Sequence, residues 1–189
     1  STPRTWPSIR SQLAEAFRLF RSNRTIFAAL MVTICLNLFG FPYMLMVPVI
    51  ARDVLDVGSF LYGLLSAGVG LGTFTGSVFI ASHRVTKQNR VFCLGALVML
   101  SAIFLFAFST YYPLSLALLI LAGVGSSGFA TMQIAIVLQA APAELRGRAL
   151  GAVALCIGAG PLGGLLVGQL SEMLGPQKAI MLLTGPGAS

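Results

Sequence analysis

Four uncharged stretches divide the chain. Thr25 to Ala51 runs 27 residues without Asp, Glu, Lys or Arg, Val57 to Ser82 runs 26, Val91 to Ala143 runs 53, and Ala149 to Ser171 runs 23. A helix crosses the ~30 Å hydrocarbon core of a bilayer with about 20 residues at ~1.5 Å each. The first, second and fourth stretches therefore hold one crossing apiece. The third is long enough for two, and Thr110-Tyr111-Tyr112-Pro113 breaks it near its middle. The pattern predicts five complete helices, near 26–50, 58–82, 91–109, 114–139 and 148–171, and a sixth, 179–189, that is cut off within 11 residues. Because the apolar runs are continuous, they favour helices over the alternating strands of a barrel. A core helix of a soluble protein fits any one stretch. Four in succession predict an all-α, polytopic membrane bundle, with residues 1–24 as a cytoplasmic linker and 25–189 as the bundle.

Composition agrees. The chain is 57% apolar and 9% charged, with 21 glycines and a mean hydropathy of +0.91, whereas a soluble domain carries about 25% charged residues. Three cysteines, all in apolar runs, exclude a disulfide scaffold, and the hydrophobicity excludes disorder. A net charge of +7 raises the question of nucleic acid. The placement of the charges answers it. Arg4, Arg10, Arg18, Arg21 and Arg24 precede the first span, Arg84, Lys87 and Arg90 follow the second, and Arg146 and Arg148 follow the fourth. The alternate side has only Arg52 and Lys178, the first accompanied by Asp53 and Asp56. This sorting by membrane side places the N-terminus in the cytoplasm and leaves no basic groove-binding face for nucleic acid.

Within residues 6–21, Trp6, Ile9, Leu13, Phe17 and Phe20 recur at helical spacing among arginines. The pattern suits an amphipathic helix on the cytoplasmic leaflet, and equally a linker packed on helix ends. The opening Ser1 and the closing Gly185-Pro186-Gly187-Ala188-Ser189 read as cuts, so a piece of a longer polypeptide is expected.

Gly68, Gly72 and Gly76 in the second span form a GxxxGxxxG run, repeated by Gly160, Gly164 and Gly168 in the fifth. Glycines four apart allow two backbones to approach closely in lipid. Each run falls in the second helix of a three-helix set, as in carriers built from inverted repeats. Pro42, Pro48 and Pro161 predict kinks.

Catalytic chemistry is hard to find. There is no phosphate-binding glycine loop, and His83 is the lone histidine, without a second ligand at metal spacing. Ser126 and Ser127 have no intramembrane histidine to act as base. Cys35, Cys93 and Cys156 read as small core residues. No enzyme, cofactor or metal is expected. No Asp, Glu, Lys or Arg lies inside a span either, so a proton-coupled carrier would keep its titrating group elsewhere.

Asn37-Leu38-Phe39-Gly40, Val47-Pro48-Val49-Ile50-Ala51-Arg52-Asp53-Val54-Leu55 leading into Gly63, and Pro142-Ala143-Glu144-Leu145-Arg146-Gly147-Arg148-Ala149-Leu150-Gly151 followed by Pro161-Leu162-Gly163 carry a resemblance over nearly the whole chain. It resembles the C-terminal half of a major facilitator superfamily transporter, helices seven to twelve of twelve, and is most similar to the bacterial drug-efflux branch with macrolide and enterobactin exporters. One departure concerns the loop between the second and third helices, where the superfamily's glycine, aspartate and basic residues are represented by Gly76, Ser82-His83-Arg84, Lys87 and Arg90, without the aspartate.

The resemblance implies a six-helix half-bundle in the bacterial inner membrane that exports a small molecule, drug- or siderophore-like, by alternating access against an N-terminal six-helix half. It also implies that the first and fourth helices line the cavity. Asn37, Tyr43, Thr131 and Gln133 are then the candidates for substrate contact, with an interhelical hydrogen bond as the alternative for each. Arg84, Arg90, Glu144, Arg146 and Arg148 are the cytoplasmic loop and gating candidates, with simple anchoring as their alternative. A membrane-embedded scaffold without carrier activity remains open; Asn37 and Gln133 on one inward face would favour the carrier.

Overall fold

The computed structural model describes residues 23–83 and 85–184. The amphipathic pattern of 6–21, Arg84 and the stretch 185–189 lie outside them. Asn23 opens the first span with a cap, its Oδ1 accepting from the N–H of Thr25 at 3.0 Å and of Ile26 at 3.4 Å. These are donors that a helix start leaves unpaired. Its Nδ2 donates to the Ala140 carbonyl at 3.1 Å, tying the start of the first span to the end of the fourth.

Span one comprises helix α1 (Arg24–Cys35), a π-turn (Leu36–Gly40) and helix α2 (Tyr43–Asp53). Helices α3 (Ser59–Ser82), α4 (Gln88–Phe108) and α5 (Tyr112–Ala140) are spans two to four. Span five is a 3₁₀ turn (Ala143–Leu145) with helices α6 (Arg146–Ile157) and α7 (Gly160–Leu174), and helix α8 (Pro176–Thr184) follows. Five segments are long and apolar enough to cross a membrane: Arg24–Asp53, Ser59–Ser82, Gln88–Phe108, Tyr112–Ala140 and Ala143–Leu174. The described residues thus form an all-α membrane bundle.

Two spans expected as single helices are interrupted. In the first, the Phe41 N–H donates to the Leu36 carbonyl five residues back, at 2.8 Å. Pro42 has no N–H to give, and the chain accommodates this with a π-turn in place of a simple kink. Pro48, by contrast, lies inside α2 without ending it. In the fifth, the helix stops after Ile157 and restarts at Gly160, with Pro161 in the first turn, where its missing N–H breaks no helical bond.

Glycines set the packing. Helix α5 lies between α3 and α4 and runs along both. A Cβ on Gly72 would overlap the Ile120 carbonyl oxygen, one on Gly123 the Val69 carbonyl oxygen, and one on Gly95 would stand 2.7 Å from the Gly125 carbonyl oxygen. Gly68 and Gly76 press similarly on Leu116 and Ser127. In span five the close approach falls elsewhere. A Cβ on Gly163 would meet the Leu38 and Asn37 carbonyls, whereas Gly160 and Gly164 are less confined and Gly168 has nothing within 4 Å.

Two apolar clusters fill the interior. One groups Tyr43, Ile50, Leu65, Ile103, Phe106 and Leu119, the other Ile26, Leu30, Phe92, Phe129, Ile136 and Val153. Contrary to the expectation of core positions, Cys35 and Cys93 are exposed and Cys156 is only half-buried. A thiol is small and apolar enough to face hydrocarbon as readily as a core.

Contact with backbone makes Gly72 the sensitive position and Gly70, which has nothing within 4 Å, its control. Gly72→Ala is expected to cost ~1–3 kcal/mol through overpacking, and Gly70→Ala to be neutral or to stabilise by up to ~1 kcal/mol. Thermal unfolding of the detergent-solubilised protein, followed by size-exclusion, checks this. Equal midpoints would contradict the packing account.

Candidate functional site

A side-chain amide in hydrocarbon has no water to bond, so it must find a partner within the bundle. The sequence puts Asn37 one helical turn after Thr33, on the same face of span one. The Asn37 Nδ2 donates to the Thr33 carbonyl at 2.9 Å. From α5, the Gln133 Nε2 donates to the Thr33 hydroxyl at 2.6 Å, and that hydroxyl in turn donates to the Ala29 carbonyl at 2.7 Å. Three polar side chains from two spans form one buried network, with Asn37 7%, Gln133 4% and Thr33 0% exposed. Thr33 lies nine residues beyond Arg24 and Gln133 seven before Ala140. At ~1.5 Å per residue both sit roughly 10–14 Å below that end of the bundle, a third to a half of the way through a ~30 Å core.

The other two candidates stand apart from this network. Tyr43 is buried in the cluster with Ile50 and Phe106, past the π-turn. Thr131 is exposed, because two helical residues are ~200° apart and Gln133 takes the inward direction. Thr33 itself is absent from the candidates that the sequence suggests; its four-residue spacing to Asn37 was the available signal. Gln169, exposed on α7, is a further span residue that the sequence reading leaves out.

At the end of the bundle marked by Asn23 and Ala140, the basic residues have separate surroundings. The Arg146 Nε donates to the Leu138 carbonyl at 3.2 Å, placing a positive charge at the C-terminus of α5, where unpaired carbonyls favour it. Glu144, Arg148 and Arg90 are exposed, Glu144 just before the start of α6. Arg84 lies outside the described residues. The ion pair between Arg52 and Asp53, 2.6 Å, joins adjacent exposed residues at the opposite end and contributes little. Among the described residues no three His, Cys, Asp or Glu side chains converge as metal ligands do.

The geometry therefore offers a buried, uncharged hydrogen-bond network within the membrane and a cationic end. It suits recognition and packing. The Major Facilitator Superfamily family model matches residues 1–165 of the chain. No curated protein matches it.

The bridge between spans one and four has a measurable strength. Thr33→Val and Gln133→Leu, singly and together, are expected to give a coupling of about 0.6–1.7 kcal/mol in unfolding by sodium dodecyl sulfate, the range of interhelical bonds in membranes. Strict additivity would show that the bond carries no stability.

Proposed function

The chain belongs to the Major Facilitator Superfamily of membrane transporters, and from that premise we propose that it forms one six-helix bundle of a secondary active exporter of small molecules in a bacterial inner membrane. The bundle rocks against a second, N-terminal six-helix bundle around a site near the membrane midplane. The observation that carries this reading is the meeting of Asn37 and Gln133, from the first and fourth spans, at Thr33. Both amides donate within the bundle while each carries a second group, a carbonyl oxygen, able to accept from a substrate. Asn37 lies within the π-turn at Leu36–Gly40, so a small change in span one reorients this side chain.

Drug- or siderophore-like substrates fit a site with neutral polar groups in apolar walls. Any proton coupling falls to the other bundle, because between Arg24 and Arg52, and along the interiors of the remaining spans, this chain offers no Asp, Glu, His, Lys or Arg. With the N-terminus cytoplasmic, Arg146 and Arg148 line the cytoplasmic end, where they anchor the bundle and meet carboxylates or helix C-termini of the other half as the pathway closes inward. The membership favours a carrier over a scaffold that only holds other proteins.

Two experiments test the proposal. Cells producing the full protein are expected to expel ethidium faster than cells without it, and Asn37→Ala with Gln133→Ala to slow that efflux at least tenfold at equal membrane abundance. Undiminished efflux from the double variant removes both residues from the site. In a background free of Cys35, Cys93 and Cys156, Arg146→Cys is expected to react with a membrane-impermeant maleimide only after the inner face is opened; labelling in intact spheroplasts reverses the topology.

A further inference from the structure

Helices α3 and α4 follow each other in sequence, yet among the described residues they barely touch, because each packs on α5 instead. Between them lies an apolar groove of about 480 Å³, floored by Gly76, Gly95, Gly125 and Gly128 and walled by Phe79 and Leu94. It follows α3 from Thr75 to His83, eight residues or ~12 Å, close to half of the ~30 Å hydrocarbon core. The groove is thus one leaflet deep.

Its mouth is polar. The His83 ring lies against Phe79 with centroids 4.4 Å apart. Beyond it a second depression, about 520 Å³, is lined by Thr86, Lys87, Asn89, Arg90 and Gln139. The two depressions adjoin through Val85–Thr86 and Arg90–Val91. Lys87 and Arg90 are exposed and pair with no carboxylate among the described residues. Helix α4 begins here without a side-chain cap and without an acidic residue in its first turn, so its N-terminal field has the same sign as the two cations.

Water does not fill an apolar groove inside a bilayer, and a lipid acyl chain matches its walls in chemistry. We propose that the groove and the basic depression together bind one anionic phospholipid, with an acyl chain laid between α3 and α4 and its phosphate held by Lys87 and Arg90. The charge at the mouth selects the headgroup, since basic residues at the membrane surface attract anionic lipid. A helix of another bundle would bring nothing to neutralise those cations unless it carried acids. The inference rests on the membrane setting of the bundle and is independent of what is transported.

Native mass spectrometry of the full protein, titrated with dioleoylphosphatidylglycerol or dioleoylphosphatidylcholine, tests the site. The first phosphatidylglycerol is expected to bind about tenfold more tightly than phosphatidylcholine, and Lys87→Gln with Arg90→Gln to erase the difference. Thr75→Phe, which fills the groove, is expected to weaken the first site for both lipids. A second measurement needs no variant: phosphatidylglycerol with a diazirine midway along one chain should label Phe79 and Leu94 in the unaltered protein. Equal affinity for the two lipids, or label spread evenly to outward residues such as Leu105 and Leu165, would overturn the proposal.

Discussion

Everything in the bundle is arranged around the backbone-to-backbone contact that glycine gives α5. Gly123 and Gly125 are two residues apart, which on a helix is ~200°, so they open opposite faces of one cylinder. Gly123 admits the backbone of α3 at Val69 and Thr73, and Gly125 admits that of α4 at Gly95 and Met99. In water the same helices would be driven together by apolar area. In lipid the tails are as apolar as leucine, and closeness of approach supplies the dispersion contacts instead. That is why large side chains such as Phe74, Leu97 and Leu105 point outward while glycines hold the interior.

The same constraint explains the treatment of polar groups. Thr33, Thr73, Ser127 and Thr184 each donate to a carbonyl three or four residues back in their own helix, which satisfies the hydroxyl without a partner helix. The Gln133 amide reaches across spans to a side chain, using the Thr33 hydroxyl as acceptor while that hydroxyl still donates to Ala29. At the span ends, Tyr112 donates to the Leu61 carbonyl and Asn23 to that of Ala140, one bond at each end of the bundle. A long-range network of uncharged groups is compatible with hydrocarbon; an ion pair at the same depth would carry a desolvation cost that the geometry offers nothing to offset.

The number of spans and their helical type were legible in the sequence because the charge-free runs are long and hydrocarbon thickness converts length directly into spans. So was the tight packing at Gly72 and Gly76. The breaks were less so. Pro42 and Pro161 announced irregularity, yet proline alone does not distinguish a kink from the π-turn at Leu36–Gly40 or from the full stop after Ile157; the neighbouring packing decides. The echo of GxxxGxxxG misleads in span five, where Gly163, one residue out of the repeat, makes the approach and Gly168 faces open space. Likewise Asn37 and Gln133 stood out as amides in apolar runs, but Thr33 did not, since a threonine that can bond its own helix looks bland in any sequence. Which residues meet across spans depends on rotation and offset of the helices, and these are fixed by small-residue contacts that composition does not order.

The two interrupted spans meet each other. Gly163, in the first turn of α7 beyond one break, lies on the carbonyls of Asn37 and Leu38 inside the other, and a Cβ there would also stand 2.7 Å from Pro42. Interruptions leave carbonyls that the helix no longer pairs, and such backbone is tolerable at membrane depth only where protein covers it. Gly163 provides that cover, because its missing side chain leaves room for the α7 backbone against those carbonyls. Most of α7 otherwise presents large side chains outward, Leu162, Leu165 and Met173 among them. A seam between two interrupted helices yields to small relative rotation more readily than the continuous α3, α4 and α5. Under the proposed rocking motion, movement therefore concentrates where span one meets span five, and the Asn37 side chain, seated inside that seam and bonded to Thr33, moves with it.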